Sequence, residues 1–353
     1  MSELNNRQQK IYKFIRDNGP VGNKQIREFL DSAMENIARM TVIRDLDRLI
    51  KNKFILKKGK GRNVIYKSTA RGVMESFVSP EVYFQQHFED RKLIKEMFNF
   101  GVFEFLSNKL ISQNELERLD KLNEEKYVNK ITDISPGILK RETGRLLVDF
   151  SWKSSQIEGN TYSILETETL VMEKIKAKGH SEEEAQMILG HQKALEYILN
   201  DKKEFQKATV AKIENVHSLL VGGLKISKNI RQGLVGIGGT KYRPLDNEYQ
   251  IKEALSKVCE FINNEKIHPL IRAMMSVLLI SYIQPFEDGN KRTARLVGNA
   301  ILLAHNYCPL SYREVEVTEY KKATLLFYEQ NNISYFKKIF IEQFEFAVNE
   351  YFL

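Results

Sequence analysis

The chain has 353 residues, of which 42% are hydrophobic and 28% charged, and a formal net charge of +8. This length suits two domains, or one large domain with an appendage. The apolar runs are shorter than a membrane span and residues 1–9 lack the apolar centre of a signal peptide, so neither a membrane nor a secreted protein is expected. The cysteines, Cys259 and Cys308, form no disulfide framework and no zinc spacing, which favours a cytoplasmic protein.

The positive charge is concentrated at the N-terminus. Residues 1–68 contain 16 Lys+Arg and 7 Asp+Glu, a balance of +9, whereas the other 285 residues contain 38 and 39, a balance of −1. A small basic module attached to a neutral body indicates a nucleic-acid partner.

Residues 1–68 show three short amphipathic patterns, at 7–17, around 26–30 and at 38–52, each with the spacing of a helix. The third predicted helix is the most periodic. Its predicted core face consists of Val42, Ile43, Leu46, Leu49 and Ile50. Two short strands are predicted at 54–56 and 64–66, on either side of a basic turn.

This arrangement resembles a winged helix-turn-helix domain, and residues 40–46 are similar to the recognition helix of DeoR-type repressors. The resemblance implies that the outer face of the third helix enters the major groove of DNA and that the wing meets phosphates. The expected DNA-binding residues are Thr41, Arg44, Arg48, Lys58, Lys60 and Arg62. A winged helix used only for protein contacts remains the alternative.

Residues 69–130 carry no functional motif. Aromatic residues alternate with charged ones over 76–105, which predicts helices packed between the two ends of the chain. We therefore predict a helical connector.

A second informative stretch covers residues 151–160, Ser-Trp-Lys-Ser-Ser-Gln-Ile-Glu-Gly-Asn. Gly159 and Asn160 predict the end of a helix, which places Glu158 at its C-terminus. The helix dipole disfavours a carboxylate there unless a cation compensates it.

Further helices are predicted at 182–199, 208–220, 251–263 and 268–283, with two more between 312 and 353. His191 and His217 have no partner at metal-ligand spacing, so both are expected to be hydrogen-bonded core histidines. Between 229 and 244 two short strand-like runs, 234–237 and 240–243, flank Gly238 and Gly239, which predicts a β-hairpin.

The most specific stretch is Gln284 to Arg295, Gln-Pro-Phe-Glu-Asp-Gly-Asn-Lys-Arg-Thr-Ala-Arg. Pro and Gly interrupt the apolar pattern and a helical pattern resumes after Asn290, so this is a loop that leads into a helix. Backbone amides at such a helix start, beside basic side chains, bind phosphate. Asp288 would repel a phosphate unless a divalent cation lay between them, so the stretch predicts a Mg-nucleotide site.

The same stretch resembles the signature of the Fic (Fido) family, His-Pro-Phe-x-Asp-Gly-Asn-(Gly or Lys)-Arg-x-x-Arg, and differs at the first fixed position, where Gln284 replaces the catalytic His. The resemblance implies a mainly α fold with a small β-hairpin flap. It also implies transfer of AMP from ATP to a Ser, Thr or Tyr hydroxyl of a target protein. Lys291 is the variant found in the Doc branch, which transfers a phosphate, so the reaction subtype stays open.

The resemblance assigns a role to each matching residue. Asp288 holds Mg²⁺, and Gly289, Asn290, Lys291 and Arg292 bind ATP phosphates, with Arg295 at the γ phosphate. The catalytic set consists of Gln284, at the base position, with Asp288, Asn290 and Arg292. A neutral amide cannot accept a proton near neutral pH, so low or absent transfer is expected.

Two further elements follow from the resemblance. Ser154, Glu158 and Gly159 resemble the Fic inhibitory motif, in which the glutamate pairs with Arg295, and their place before the core is that of class II members. The hairpin corresponds to the flap that aligns the target as an added strand, through Val235, Gly236, Ile237 and Gly238.

We therefore expect a winged helix-turn-helix over 1–68, a helical connector over 69–130 and a Fic domain over 131–353. Within the Fic domain the inhibitory helix is expected at about 145–160 and the Fic core at about 205–345. The hypothesis is an autoinhibited protein adenylyltransferase that uses ATP and Mg²⁺, with DNA and a protein target as partners. The alternative is a DNA-binding regulator whose degenerate Fic domain senses a nucleotide. A homodimer remains open.

Overall fold

The structure is a computed structural model that describes residues 4–33, 37–76 and 78–352, with only the main chain of Arg62 and Ala70. The helices are α1 Asn6–Asn18, α2 Asn23–Ala33, α3 Arg39–Lys51, α4 Ala70–Glu75, α5 Pro80–Tyr83, α6 Gln113–Asn123, α7 Asn129–Asp133, α8 Pro136–Ile157, α9 Ile164–Glu173, α10 Glu182–Asn200, α11 Val210–Leu220, α12 Glu248–Ile262, α13 Pro269–Ile283, α14 Asn290–Ala304, α15 Val317–Gln330 and α16 Ser334–Glu350. The strands are β1 Val21–Gly22, β2 Ile55–Lys58 and β3 Ile65–Ser68. The mainly α fold class is confirmed.

The N-terminal part has the predicted three helices and wing. Its sheet is antiparallel with strand order β1-β3-β2, and Val21 pairs with Tyr66 while Lys58 pairs with Ile65. Strand β1 was not predicted, because two residues are too short to show a period-2 pattern. The helices and sheet enclose a small apolar core drawn from residues 11–66.

One residue of the predicted recognition helix was assigned to the wrong face. Ile43 is 37% exposed and lies on the outer face beside Arg44, whereas Val42, Leu46 and Leu49 are buried. Each residue turns about 100° around a helix, so the narrow core that receives Val42 leaves its neighbour outside.

The larger core is drawn from residues 74–352 and includes the buried side chains of the connector. The predicted helices of the connector are only partly present, because residues 84–99 are irregular. This segment makes its main-chain hydrogen bonds to distant parts of the chain: Ile94 N donates to Glu329 O at 2.9 Å, and Glu96 O accepts from Arg243 N at 2.7 Å. Tertiary pairing therefore replaces the local helix.

The centre of the larger core is α13, in which every residue from Leu270 to Ile283 is buried. It packs against α14, and the loop between the two helices is the first half of the Gln284 to Arg295 stretch. No described helix is both long and apolar enough to cross a membrane.

The predicted β-hairpin is wrong. Residues 234–243, all of which the structure describes, contain a turn but no paired strands, and the one bridge there joins Arg243 to Met97 of the connector. Along the first predicted strand Leu234 is 82% exposed, Val235 and Ile237 are half-buried, and Gly236 and Gly238 have no neighbour that a side chain would touch, so neither face of this strand is fully packed. A two-stranded ribbon without a packed face gains too little to form in water.

The close approach of α10 and α11 in the larger core allows a test of this architecture. A Cβ added at Gly190 of α10 would lie 2.0 Å from the carbonyl oxygen of Leu220 at the end of α11. We expect Gly190→Ala to lower the free energy of unfolding by about 1–3 kcal/mol, because a backbone atom cannot move aside. Urea denaturation measures the change.

Gly137→Ala in α8 is the matched control, since a Cβ there has nothing within 4 Å. We expect this variant to be neutral or up to about 1 kcal/mol more stable, as is usual for Gly to Ala in a helix. Equal stability of the two variants would contradict the close approach of α10 and α11.

Candidate functional site

The site is built at the end of α13. Gln284 caps this helix with left-handed backbone angles, φ 51° and ψ 62°. Its backbone N–H donates to Ile280 O at 3.1 Å. Its side chain is buried, and Nε2 donates to Ser281 O at 2.7 Å. The side-chain amide is thus turned back onto the helix that carries it.

The loop after Gln284 is closed by a side chain. Asn290 accepts from Phe286 N at 2.7 Å through Oδ1 and donates to Phe286 O at 2.8 Å through Nδ2. Because both ends of this side chain are engaged, Asn290 shapes the loop, and its backbone N–H and the second N–H of Nδ2 are left for a ligand.

His217 of α11 supports the loop from behind. Its ring stacks on Phe286 with centroids 3.7 Å apart, and Nε2 lies 3.0 Å from Asp288 O. Burial lowers the pKa of His217, so the ring is neutral near pH 7 and donates one N–H to that carbonyl. His217 is therefore the hydrogen-bonded core histidine that was predicted.

Helix α14 starts at this loop without a capping side chain. Gly289 is the N-cap residue, with φ 76°, and a Cβ there would approach Val221 to 3.3 Å and His217 to 3.5 Å. Glycine therefore satisfies both the left-handed backbone and the close packing. The first amides of α14 have no capping side chain and lie at the positive end of the helix dipole, which is the chemistry of an anion site.

Two buried guanidinium groups lie beside these amides. The side chains of Arg292 and Arg295 are 1% and 0% exposed. Arg292 Nη2 pairs with Asp288 Oδ2 at 3.1 Å, yet Nε and Nη1 of Arg292 and Nη1 of Arg295 have no hydrogen-bond partner among the described residues. Buried N–H groups are rarely left without an acceptor, so these groups call for a further acceptor, a water or an anion.

Arg295 connects α14 to the end of α8. Its Nε donates to Ser154 Oγ at 2.8 Å and its Nη2 donates to Ser154 O at 2.7 Å and to Glu158 Oε1 at 3.0 Å. The guanidinium also lies over the Tyr320 ring, 5.3 Å from the centroid. Two residues of the predicted inhibitory motif, Ser154 and Glu158, thus contact Arg295, and the third, Gly159, lies just beyond the helix end at φ 100°.

Glu158 is the C-cap residue of α8, as predicted, and two cations compensate it. Lys291 Nζ lies 3.2 Å from Oε2, on the other side of the carboxylate from Arg295. Burial alone would raise the pKa of Glu158, but Arg295 and Lys291 outweigh burial and hold the pKa below its ordinary value. The carboxylate is therefore ionised at neutral pH.

Behind Ser154 lies a third buried group that the sequence did not connect to the motif. His191 of α10 is fully buried, with Nε2 2.7 Å from Ser154 Oγ. Burial, with smaller contributions from Arg295 and Arg292, lowers the pKa of His191 well below its ordinary range. Neutral His191 accepts the Ser154 hydroxyl hydrogen, which leaves the hydroxyl oxygen to accept from Arg295. A histidine near Ser154 could not be found by spacing, because 37 residues separate them.

The described residues contain no group of three or more His, Cys, Asp and Glu side chains that could hold a metal ion. Asp288, the predicted Mg²⁺ ligand, has a side chain that is 62% exposed, and only its Oδ2 is paired with Arg292. Mg²⁺ commonly takes one or two protein carboxylates and completes its shell with phosphate oxygens and water, so Asp288 fits an ion held together with a nucleotide.

The predicted target-binding segment, Val235 to Gly238, lies in the exposed strip between Arg231 and Leu245. Arg231 is buried and donates to carbonyls at both ends of this strip and to Gln284 O. The turn in the middle of this strip, at Gly239, is held by the connector: Arg91 Nη2 donates to Gly239 O, and Lys241 Nζ donates to Glu89 O at 2.7 Å. Neither contact was predicted, because both are made to main-chain carbonyls, which leave no trace in side-chain identity.

The predicted DNA-binding residues differ in how exposed they are. Arg44 and Arg48 are exposed on one face of α3, and Lys58 and Lys60 are exposed on the wing. Thr41 is half-buried, so it is less accessible than predicted. The side chain of Arg62 lies outside the described part of the structure.

Comparison with known proteins agrees with this geometry. Residues 203–302, which include the whole of α11, α12, α13 and the loop at Gln284, match the Fic/DOC family. This segment is a Fic/DOC family domain. Residues 4–125 match the penicillinase repressor family, so the winged helix-like N-terminal part is confirmed, with a repressor family other than the DeoR type as its match.

Several relatives share the Fic domain. Over 213 residues the chain is 30% identical to the protein adenylyltransferase Fic of Nematostella vectensis, covering 58% of this chain and 48% of that protein. Over 208 residues it is 29% identical to the protein adenylyltransferase Fic of Culex quinquefasciatus, covering 57% and 40%. The match spans less than half the length of these relatives.

A solved structure shares the fold. Fic-1 from C. elegans superimposes with a TM-score of 0.57 and 21% identity, over 68% of this chain and 70% of that one. The Fic domain is therefore supported by its sequence signature, by curated relatives and by three-dimensional similarity.

The ion pair at Glu158 predicts a pH-dependent contribution to stability. A carboxyl whose pKa is lowered in the folded protein stabilises it fully above the unfolded pKa, about 4.3, and this contribution is lost as the pH falls through the folded pKa. We expect Glu158→Gln to lower the free energy of unfolding by about 1–3 kcal/mol at pH 7, because Arg295 loses an ionised partner. Urea denaturation between pH 3 and 7 measures the difference.

The difference between the two proteins should be constant near neutral pH and shrink below about pH 4.3. Glu168→Gln is the control, because Glu168 is exposed on α9 and should show almost no difference at any pH. A Glu158→Gln difference that does not change with pH would contradict the ionised pair.

Proposed function

We propose that the chain is a Fic-type protein adenylyltransferase scaffold that binds Mg-ATP, restrains it through Glu158 and lacks an efficient base for the transfer step. The observation that carries this proposal is the pair of buried arginines, Arg292 and Arg295, whose N–H groups are left without acceptors beside the start of α14. A triphosphate supplies the missing acceptors, and relatives of this domain are named protein adenylyltransferases.

The residues of the loop and of the start of α14 are each assigned to a phosphate of ATP. The amides that follow Gly289 bind the α and β phosphates together with Arg292, and Asp288 holds Mg²⁺ against them. Asn290 contributes its backbone and the loop shape, since its side chain is engaged by Phe286. The side chains of Lys291, the second residue of α14, and of Arg295, about one turn farther along, meet the terminal phosphate.

Glu158 competes with that phosphate. Its carboxylate occupies Lys291 Nζ at 3.2 Å and Arg295 Nη2 at 3.0 Å, the donors that a γ phosphate needs. Two anions cannot share these cations without strong repulsion. We infer that Glu158 permits ATP to bind only weakly or in an arrangement that does not react.

The transfer step needs a group that accepts the proton of the target hydroxyl. Gln284 stands at that place, but its amide carries no basic nitrogen and donates to Ser281 O at 2.7 Å. General-base assistance contributes about 10²–10⁴ in rate, and Gln284 provides none of it. The target protein is expected along Val235, Gly236, Ile237 and Gly238, whose exposed main chain is free to pair with a strand.

The alternative function is a DNA-binding regulator whose Fic domain senses a nucleotide without transferring AMP. The winged helix and Gln284 together favour it, because ligand binding requires the loop and the arginines but not the base. In this case DNA binding through α3 and the wing is the output, and the nucleotide is the signal.

Restoring a base decides between the two functions. We expect Gln284→His to raise AMP transfer by about 10²–10⁴, and Glu158→Gly to raise it further in that background. Incubation with Mg-ATP labelled at the α phosphate, followed by mass spectrometry for AMP on protein, measures the transfer. Gln284→Asn is the matched control, because asparagine tolerates the left-handed backbone and supplies no base.

Each outcome is decisive. Equal transfer by the Gln284 protein and the His variant would remove residue 284 from the mechanism. Tight Mg-ATP binding without transfer, even in the double variant, would favour the nucleotide sensor. Absence of both binding and transfer would refute the adenylyltransferase proposal.

The DNA partner is tested separately. We expect duplex affinity to fall steeply with salt, and the double change Arg44→Ala with Arg48→Ala to weaken binding by about tenfold or more, because both side chains lie on the exposed face of α3. Fluorescence anisotropy at several salt concentrations measures both effects.

The control is Arg118→Ala with Arg141→Ala, which removes the same charge from exposed positions outside the winged helix. Equal weakening by the two double variants would mean that net charge alone drives binding. Negligible affinity at low salt would refute DNA binding.

A further inference from the structure

Arg231 is a buried cation outside the residues that the Fic signature explains. It lies immediately before the exposed strip 232–239, and 5% of its surface is exposed. The described residues offer it no ion-pair partner within 4.0 Å, so the buried charge is compensated in another way.

Three main-chain carbonyls surround the guanidinium. Nε donates to Gln284 O at 2.6 Å, and Nη1 donates to Gly233 O at 2.5 Å. Nη2 donates to Leu245 O. The Arg231 amide adds a fourth tie, to Pro285 O at 3.0 Å. The side chain of Arg231 thus joins Gly233, Leu245 and the turn that carries residue 284.

The position of Arg231 at the end of α13 is electrostatically favourable. Gln284 terminates that helix with a left-handed backbone, which leaves its carbonyl outside the helical hydrogen bonds. The negative end of the helix dipole favours a cation there. A planar guanidinium presents donors on three separated nitrogens, whereas an ammonium presents its three donors from a single atom and an apolar side chain has none.

The first half of the segment between the two ties has few other contacts. Gln232, Gly233 and Leu234 are exposed, Val235 and Ile237 are half-buried, and there are no paired strands. The second half is held more firmly, because Tyr242 is buried and its hydroxyl donates to Tyr282 O at 2.7 Å. The main chain of the first half is therefore placed mainly by Arg231 at the base and by the connector at the turn, and a change at the base shifts it relative to residue 284.

We propose that Arg231 is a positioning residue that clasps both ends of segment 232–245 to the carbonyl of residue 284, and so sets where a target strand on this segment lies relative to the nucleotide. The proposal rests on the proposed adenylyltransferase function. Arg231 itself touches neither ATP nor the target hydroxyl. It acts through the placement of the segment.

The test uses the full chain carrying Gln284→His and Glu158→Gly, with Arg231→Lys or Arg231→Met added. Arg272→Lys is the matched control, because Arg272 is also buried, lies at the start of α13 and donates to a carbonyl, Ile262 O at 2.9 Å. Hydrogen-exchange mass spectrometry on residues 233–245 reports the clasp without requiring activity.

We expect both Arg231 variants to exchange about tenfold or more faster over 233–245, with unchanged exchange in α13 and α14 and unchanged Mg-ATP affinity. AMP transfer should fall about tenfold to a hundredfold through kcat, while the KM for ATP stays the same, because the target strand and not the nucleotide is misplaced. The Arg272→Lys control should change neither the exchange over 233–245 nor the transfer.

Unchanged exchange over 233–245 would overturn the clasp, and full transfer despite faster exchange would overturn its role in positioning. Global unfolding of both Arg231 variants would show that the residue supports the core, which also overturns the proposal. If the parent variant transfers no AMP at all, the proposed function fails, and the exchange measurement still decides whether Arg231 holds the segment.

Discussion

A buried charge, the guanidinium of Arg295, is the constraint on which the arrangement of the site depends. It is completely buried, and a cation in such a place must be met by acceptors on every side that it can reach. Ser154 supplies a hydroxyl and a carbonyl, Glu158 supplies a carboxylate, and Tyr320 supplies a ring face. The end of α8 is therefore fixed to α14. The same demand keeps His191 neutral, because a protonated ring could not accept the Ser154 hydroxyl hydrogen and would add a second buried cation.

The acceptors do not satisfy all the buried donors. One N–H-bearing nitrogen of Arg295 and two of Arg292 have no partner among the described residues, and the start of α14 has no capping side chain. This excess of donors makes the site attractive for a multiply charged anion, and among the described residues Glu158 is the one carboxylate paired with both Lys291 and Arg295. Restraint and ligand binding therefore compete for the same cations, so strengthening one weakens the other. A carboxylate at a helix C-terminus, which the dipole disfavours, is easier to displace than one in a neutral setting.

The parts of the structure that the sequence predicts are those in which local chemistry decides. Gly159 ends α8 and leaves Glu158 at its C-terminus, and Pro285 and Gly289 open the loop before α14, because these residues restrict or release the backbone directly. Ile43 was placed on the wrong face because one helical step separates core from surface in a small domain. The hairpin at 234–243 failed because strand pairing needs a packed face, and the glycine-rich first strand has only the half-buried Val235 and Ile237 to supply one. The roles of Arg231 and Arg91 could not be predicted, since each binds carbonyl oxygens that every residue possesses.

The segment expected to receive a target is held from two directions, and only one of them belongs to the Fic/DOC domain. Arg231 holds the base from within residues 203–302, whereas the turn at Gly239 is held by Arg91 of the connector. Arg91 is itself fixed, because its guanidinium pairs with Glu329 at the end of α15 at 3.2 Å. The following turn of the chain, at Asn332, binds the carbonyls of Val73 and Ser76 at the end of α4, which packs against Phe54 of the winged helix. The geometry of this segment is therefore not a property of the Fic domain alone, because the contacts that fix its turn run through the connector to the winged helix at the N-terminal end of the chain.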